Sequence, residues 1–297
     1  MPMFADAFIQ YLTFEKRCSA HTITAYKNDL RQFSSFADST YGITDSRDVS
    51  YQVIRSWLAQ LIQTGTSPRS ANRKLSTLKS YFRFMINRGY IEENPVHKVI
   101  APKISKKLPV FVENEKMDKL LGAIAVESDF NSVLSRFVVE ILYATGMRVA
   151  ELIALKHKDI DMASMSLLVT GKRNKQRIIP FGSHLRDAIT EFTLAKEKQQ
   201  RPVQANDFLI TTVKGKKAYP KLIYNIVTQS LQRITTQDKK SPHVLRHTFA
   251  TSMLNNGADL NAIKELLGHS NLAATQVYTH NTIERIKHIY QQAHPKA

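Results

Sequence analysis

The chain has 297 residues, enough for two domains of ordinary size, and a hydrophobic content of 43% argues against disorder over most of its length. With 42 Lys+Arg against 25 Asp+Glu the formal net charge is +17, spread over both halves, which favours a polyanionic partner because each phosphate neutralised releases a condensed counterion. Cys18 is the single cysteine, so an intrachain disulfide and a thiolate metal cluster are excluded; with no long apolar run and no basic, apolar leader, a cytoplasmic protein without membrane partners is expected.

The first hundred residues carry helical periodicity. Phe4, Phe8, Tyr11 and Leu12 mark a first stripe, and Ile23, Tyr26, Leu30, Phe33 and Ala37 a second. A third runs through Val53, Ile54, Trp57, Leu58, Leu61 and Ile62 to Gly65. The fourth uses Ala71, Leu75, Leu78, Phe82 and Met85, with Ser67 placed as N-cap, Pro68 at the first helical position and a stop at Gly89. Residues 1–95 therefore read as a four-helix bundle. Pro95, Pro102 and Pro109, with Lys98, Lys103, Lys106 and Lys107 between them, suggest an extended basic linker over residues 96–112.

Residues 113–297 read as a mixed α+β domain. Met117, Leu120, Leu121 and Ile124 open a helix, and Phe137 to Tyr143 continue the helical content. Ser166–Thr170 and Gln176–Phe181 then read as the strands of a hairpin around Gly171-Lys172-Arg173-Asn174-Lys175. Helices dominate to the end. The fold class is mainly α with a small β-hairpin or sheet, in two domains.

Several residues in the second domain bear on chemistry. Arg148 follows Thr145-Gly146, a pair suited to ending one helix and starting another, and Glu151 three residues on could hold its guanidinium. Read alone, Arg148 is an exposed helix arginine with an ordinary partner. Lys172 and its neighbours Arg173, Lys175 and Arg177 form a basic hairpin tip, which could contact phosphates or equally be a solvated turn. Ser241-Pro242 starts a helix that places His243, Arg246 and His247 on one face. Zinc is disfavoured there, because Val244 stands where a metalloprotease helix has glutamate and an arginine would repel the cation. His269 follows the helix end Leu266-Leu267-Gly268, and Tyr278 lies nine residues later.

Three segments carry a family likeness. They are Ala144-Thr145-Gly146-Met147-Arg148-Val149-Ala150-Glu151-Leu152, His243-Val244-Leu245-Arg246-His247, and Leu267-Gly268-His269-Ser270 continued by Thr275-Gln276-Val277-Tyr278-Thr279-His280. Their order and wording resemble the tyrosine site-specific recombinases of the phage integrase family, most closely the Xer-type branch, over essentially the whole chain. The resemblance implies a SAM-like core-binding amino domain and a catalytic carboxyl domain. It makes Tyr278 the nucleophile, with Arg148 and Arg246 on the scissile phosphate, His243 assisting proton loss, His269 bonding the phosphate and Lys172 protonating the leaving 5′ oxygen. Arg173 replaces a glycine common in relatives, which leaves the choice of Lys172 over Lys175 open.

The resemblance further implies DNA cutting and rejoining through a 3′-phosphotyrosyl intermediate and a Holliday junction, without metal, ATP or cofactor. A homo- or hetero-tetramer on two DNA duplexes is expected, resolving chromosome or plasmid dimers in the nucleoid and answering to a DNA translocase. A mobile-element integrase, a type IB topoisomerase or a DNA-binding regulator on an inactive fold are the rival readings. Arg69, Arg73, Lys74 and Lys79 on the fourth helix, with Arg173 and Lys175, are the candidate DNA contacts. Ile283, Ile286 and Tyr290 share one face of a last helix suited to a neighbouring protomer or to the chain's own domain.

Overall fold

Ser67 accepts a hydrogen bond from the Ser70 backbone N–H at 3.2 Å and Pro68 takes the first helical position, so the fourth apolar stripe begins where its capping residues put it. The computed structural model describes residues 4–105, 111–124, 129–171, 174–199, 202–234, 240–268 and 280–297. The chain divides into two compact units between Lys107 and Leu108.

The first unit contains α1 (Ala5–Gln10, prolonged by a π-turn over Tyr11–Glu15), α2 (Ala20–Tyr41), α3 (Tyr51–Gln63) and α4 (Pro68–Asn87). Phe8, Leu30, Phe33, Ile54, Trp57, Leu75, Leu78, Phe82 and Met85 are buried together, so each expected stripe faces one core. Ile62 is the exception in the third stripe and is 39% exposed.

Two further findings correct the sequence reading. Lys74 is buried, and its ammonium is bound to Asp29 Oδ1 at 3.2 Å and to Gln32. Asp29, itself buried, also takes the Arg73 guanidinium on both oxygens and the Thr77 hydroxyl at 2.8 Å. Lys74 is thus an internal tie between α2 and α4, not a surface cation for DNA, whereas Arg69, Arg73 and Lys79 are exposed. The linker is also shorter than its prolines suggest. Val96 and Val99 belong to the first core, and Asn72 donates to the Pro102 carbonyl at 2.8 Å. At the other end Val112 is buried in the second unit, its N–H bound to Thr248 Oγ1 at 2.9 Å.

The second unit is built around α6 (Phe130–Thr145), whose carboxyl half is buried on nearly every side by Phe137, Val138, Ile141, Leu142 and Tyr143. Packed with it are α5 (Asn114–Ile124), α8 (Ser183–Gln199), α9 (Pro220–Gln232) and α10 (Pro242–Asn255). Between α7 (Val149–Ala154) and α8 lies an antiparallel sheet of β1 (Ile160–Asp161), β2 (Ser166–Thr170) and β3 (Gln176–Pro180), in that order. Leu168 pairs with Ile178 and Thr170 with Gln176, which is the expected hairpin with a short third strand added.

After α11 (Leu260–Leu267) the described chain resumes at α12 (His280–Ala293). The apolar face of α12 is buried on its own unit through Ile286 and Tyr290. Asn256 donates to the Ala293 carbonyl at 2.8 Å, and Lys296 pairs with Asp118 at 2.7 Å. Gly182 makes room for the chain's end: a Cβ there would lie 2.2 Å from the Ala297 carbonyl carbon. No helix among the described residues is long and apolar enough to cross a membrane.

Candidate active site

The turn that carries Arg148 is set by Gly146, which ends α6 in the left-handed conformation with φ +59°. A Cβ there would come within 2.6 Å of Phe249 and 2.8 Å of Leu267, so α10 and α11 crowd directly onto this turn. Two residues on, Arg148 is the N-cap of α7. Its backbone N–H donates to Glu151 Oε2 at 2.7 Å and its Nη1 to Oε1 at 2.9 Å, the partnership that the spacing suggests.

Arg246, in the second turn of α10, points to the same place. It donates Nη1 to the Gly146 carbonyl at 2.6 Å and Nη2 to the Leu267 carbonyl at 2.7 Å. Arg148 Nη2 reaches the Gly268 carbonyl at 3.2 Å. A third guanidinium completes the set: Arg177 on β3 donates Nε to the Leu266 carbonyl at 2.7 Å and both terminal nitrogens to Glu151 at 2.9 Å. Three successive carbonyls at the end of α11 are therefore each held by a different arginine. Helix C-termini leave carbonyls without intrahelical partners and carry a partial negative charge, so cations are favoured there.

Electrostatics follow from this crowding. Burial raises the Glu151 pKa, but the bonds from Arg177 and then Arg148 outweigh it and hold the carboxyl below its ordinary range. Arg246 is pushed down to about 10, first by burial and then by repulsion from Arg148. Arg148 keeps 42% of its side chain exposed, and His243, one turn before Arg246, is exposed as well. A cationic patch with solvent access can receive a phosphate.

Of the six expected catalytic residues, the structure brings Arg148 and Arg246 together and puts His243 on the same helix as Arg246. Lys172, His269 and Tyr278 lie outside the described residues, as does Arg173. The flanks of those residues are described: Gly171 donates to the Lys175 carbonyl at 2.7 Å, Lys175 is exposed at the turn, and Gly268 caps α11 with φ +67°. No three His, Cys, Asp or Glu side chains gather as metal ligands would among the described residues. From the sequence Arg177 reads as one more basic residue of the hairpin. The signal was present in the alternation of β3, which puts Arg177 on the same buried face as Ile179.

Two family models match the chain, one for the phage integrase N-terminal SAM-like domain over residues 5–89 and one for the phage integrase family over residues 111–285. The chain belongs to the phage integrase family of tyrosine recombinases. Among curated relatives, the tyrosine recombinase XerC of Halalkalibacterium halodurans is 38% identical, with 99% of this chain and 98% of that protein covered. The XerC of Chlorobaculum parvum is 35% identical, covering 98% and 94%. Solved structures of two recombinases share the fold. XerH bound to a palindromic difH substrate has a TM-score of 0.71 at 22% identity, covering 96% of this chain and 83% of that one. The Tn1549 transposon integrase in complex with transposon right end DNA has a TM-score of 0.73 at 18% identity, covering 95% and 97%.

Proposed function

We propose that this recombinase cuts and rejoins DNA at a specific site through a 3′-phosphotyrosyl intermediate formed by Tyr278. The observation that carries the reading is the meeting of Arg148 and Arg246 at the last carbonyls of α11, immediately before the segment that contains His269 and Tyr278. Phosphoryl transfer asks a protein mainly for positioning and for stabilisation of charge on the non-bridging oxygens, and two planar guanidiniums supply both. Tyrosine ionises near pH 10 when unperturbed, so attack needs cationic surroundings and a base, a role we assign to His243, one turn before Arg246 on α10. Lys172 on the hairpin donates to the leaving 5′ oxygen, and His269 bonds the phosphate. The phosphotyrosyl ester conserves the energy of the broken bond, so strand exchange through a Holliday junction needs neither metal nor ATP.

The partner is a double-stranded recombination site, contacted in the first unit by Arg69, Arg73 and Lys79 and in the second by Arg173 and Lys175. Chromosome or plasmid dimer resolution by a tetramer on two duplexes in the nucleoid, under control of a DNA translocase, is the biological role proposed. The XerC relatives favour it over integration of a mobile element. Assembly would require α12 to leave the docked position on its own unit if tails are exchanged between protomers.

A suicide substrate carrying a nick beside the cleavage position tests the chemistry. An SDS-resistant protein–DNA adduct is expected with the wild type and not with Tyr278→Phe. Arg148→Ala and Arg246→Ala are expected to bind DNA and cut poorly. An adduct formed at full rate by Tyr278→Phe would sink the assignment of the nucleophile.

A further inference from the structure

Arg177 is a charged side chain only 6% exposed, placed between α7 and the end of α11. Its three donors reach two elements: both terminal nitrogens to Glu151 on α7, and Nε to Leu266 at the end of α11. Two glycines pack against this pair. A Cβ on Gly268 would lie 3.1 Å from Arg177 Nη1 and 3.2 Å from its Cδ, and one on Gly171 would lie 3.2 Å from Glu151 Oε1. Gly171 precedes Lys172 in the chain and Gly268 precedes His269. The Arg177–Glu151 pair is therefore the surface on which the hairpin and the end of α11 are both laid.

Charge gives the pair a second task. Glu151 offers two carboxylate oxygens, and Arg148 could take both in a fork-to-fork pair that would hold its guanidinium on the carboxylate. Arg177 already lies on both oxygens, and Arg148 binds Oε1 with a single side-chain nitrogen while its other terminal nitrogen reaches outward to Gly268. Glu151 aims Arg148 in this arrangement without neutralising it. Resting on the recombinase reading above, we propose that Arg177 is a positioning residue for strand cleavage: by occupying Glu151 it keeps Arg148 free to engage the scissile phosphate, and by gripping Leu266 it fixes the end of α11 against the hairpin.

The test is single-turnover cleavage of the nicked substrate, measured alongside DNA affinity and circular dichroism. The proteins are wild type, Arg177→Lys, Arg177→Met, and Arg177→Met combined with Glu151→Gln. Misplacement of a reacting group by about 1 Å costs on the order of 100-fold in rate, so each single variant is expected to cleave about 100-fold more slowly while its DNA affinity changes by less than about threefold. Lysine does not rescue, because one ammonium cannot span two carboxylate oxygens and a carbonyl. Removing the charge of Glu151 in the Met background releases Arg148, and about tenfold of the lost rate is expected to return, a coupling that simple loss of packing would not show. If Arg177→Met does not fold, Arg177→Lys with and without Glu151→Gln carries the same comparison. Single variants cutting within about threefold of wild type, rate and affinity falling together, or a double variant no faster than Arg177→Met would each overturn the proposal. A wild-type chain that forms no adduct overturns the recombinase reading and this inference with it, whereas normal wild-type cleavage with normal variants overturns only the inference.

Discussion

Tyr290 donates its hydroxyl to the carbonyl oxygen of Ala144 at 3.0 Å, joining the tail helix α12 to the last turn of α6. Ala144 stands four residues before Arg148, so the tail anchors the helix end from which the first arginine of the site is hung. Tyr290→Phe keeps the ring and removes the donor, leaving a buried carbonyl without that partner at a cost of about 1–3 kcal/mol. The variant is expected to melt earlier and to lose its tail faster to limited proteolysis. Unchanged cleavage kinetics of the tail would show that the bond does not hold it.

The same tail carries a pH dependence. His294 is buried, stacked on Tyr290 at 4.8 Å between ring centroids, and burial pushes its pKa down to about 4. The folded chain then binds fewer protons than the unfolded chain between about pH 6.5 and 4, so stability is lost as pH falls through that window, up to about 3 kcal/mol. Tail release at pH 5 relative to pH 7.5, followed by hydrogen exchange, is the expected outcome. His294→Phe is expected to flatten the dependence.

Glu140 pulls the other way. It is buried on α6, its Oε2 has no hydrogen bond among the described residues, and the nearby Arg136 Nε lies 3.8 Å off. Burial pushes its pKa up to about 6 against the pull of Arg136. The folded state holds the proton more tightly, so this contribution is full below pH 4.5 and lost as pH rises through 6, about 2 kcal/mol in all. Glu140→Gln is expected to raise the melting temperature at pH 7.5 and to leave it little changed at pH 4. A lower melting temperature at pH 7.5 would contradict this.

In the first unit, the buried Asp29 binds both the internal Lys74 and the exposed Arg73, while the candidate DNA contacts Arg69 and Lys79 are exposed on the same helix. Asp29→Ala strips Lys74 of its carboxylate, and breaking a buried pair costs about 3–5 kcal/mol, so the unit is expected to melt early in denaturant. Arg69→Ala and Lys79→Ala are expected to leave stability unchanged and to reduce the salt dependence of DNA binding by about one unit of slope each. A salt slope unaltered by both would remove α4 from the DNA interface.

Local chemistry was the legible part of this molecule. Ser67, Pro68 and Gly89 delimit α4, Gly146 and Gly268 take the left-handed caps, and Arg148 finds Glu151, because each of these is decided within a few residues. What the sequence conceals is which distant charge answers which. Lys74 lies on the apolar stripe of α4 and Asp29 on that of α2; either alone looks like an interruption, and only the packing of the two helices makes them partners. Arg177 was hidden similarly, since its strand alternation places it inside but its partners are 26 and 89 residues away.

Arg246 differs from the other two arginines in its company. Among the described residues its hydrogen bonds run to two carbonyl oxygens and to no carboxylate. Folding thus takes this cation partly out of water against bonded dipoles, with Glu151 attracting it only without a hydrogen bond, and a tetrahedral oxyanion that settles beside it should tighten the native state in proportion to its occupancy. Sulfate or phosphate is then expected to raise the melting temperature of the wild type more than that of Arg246→Ala. An anion bound at this arginine would then also act as a ligand for folding.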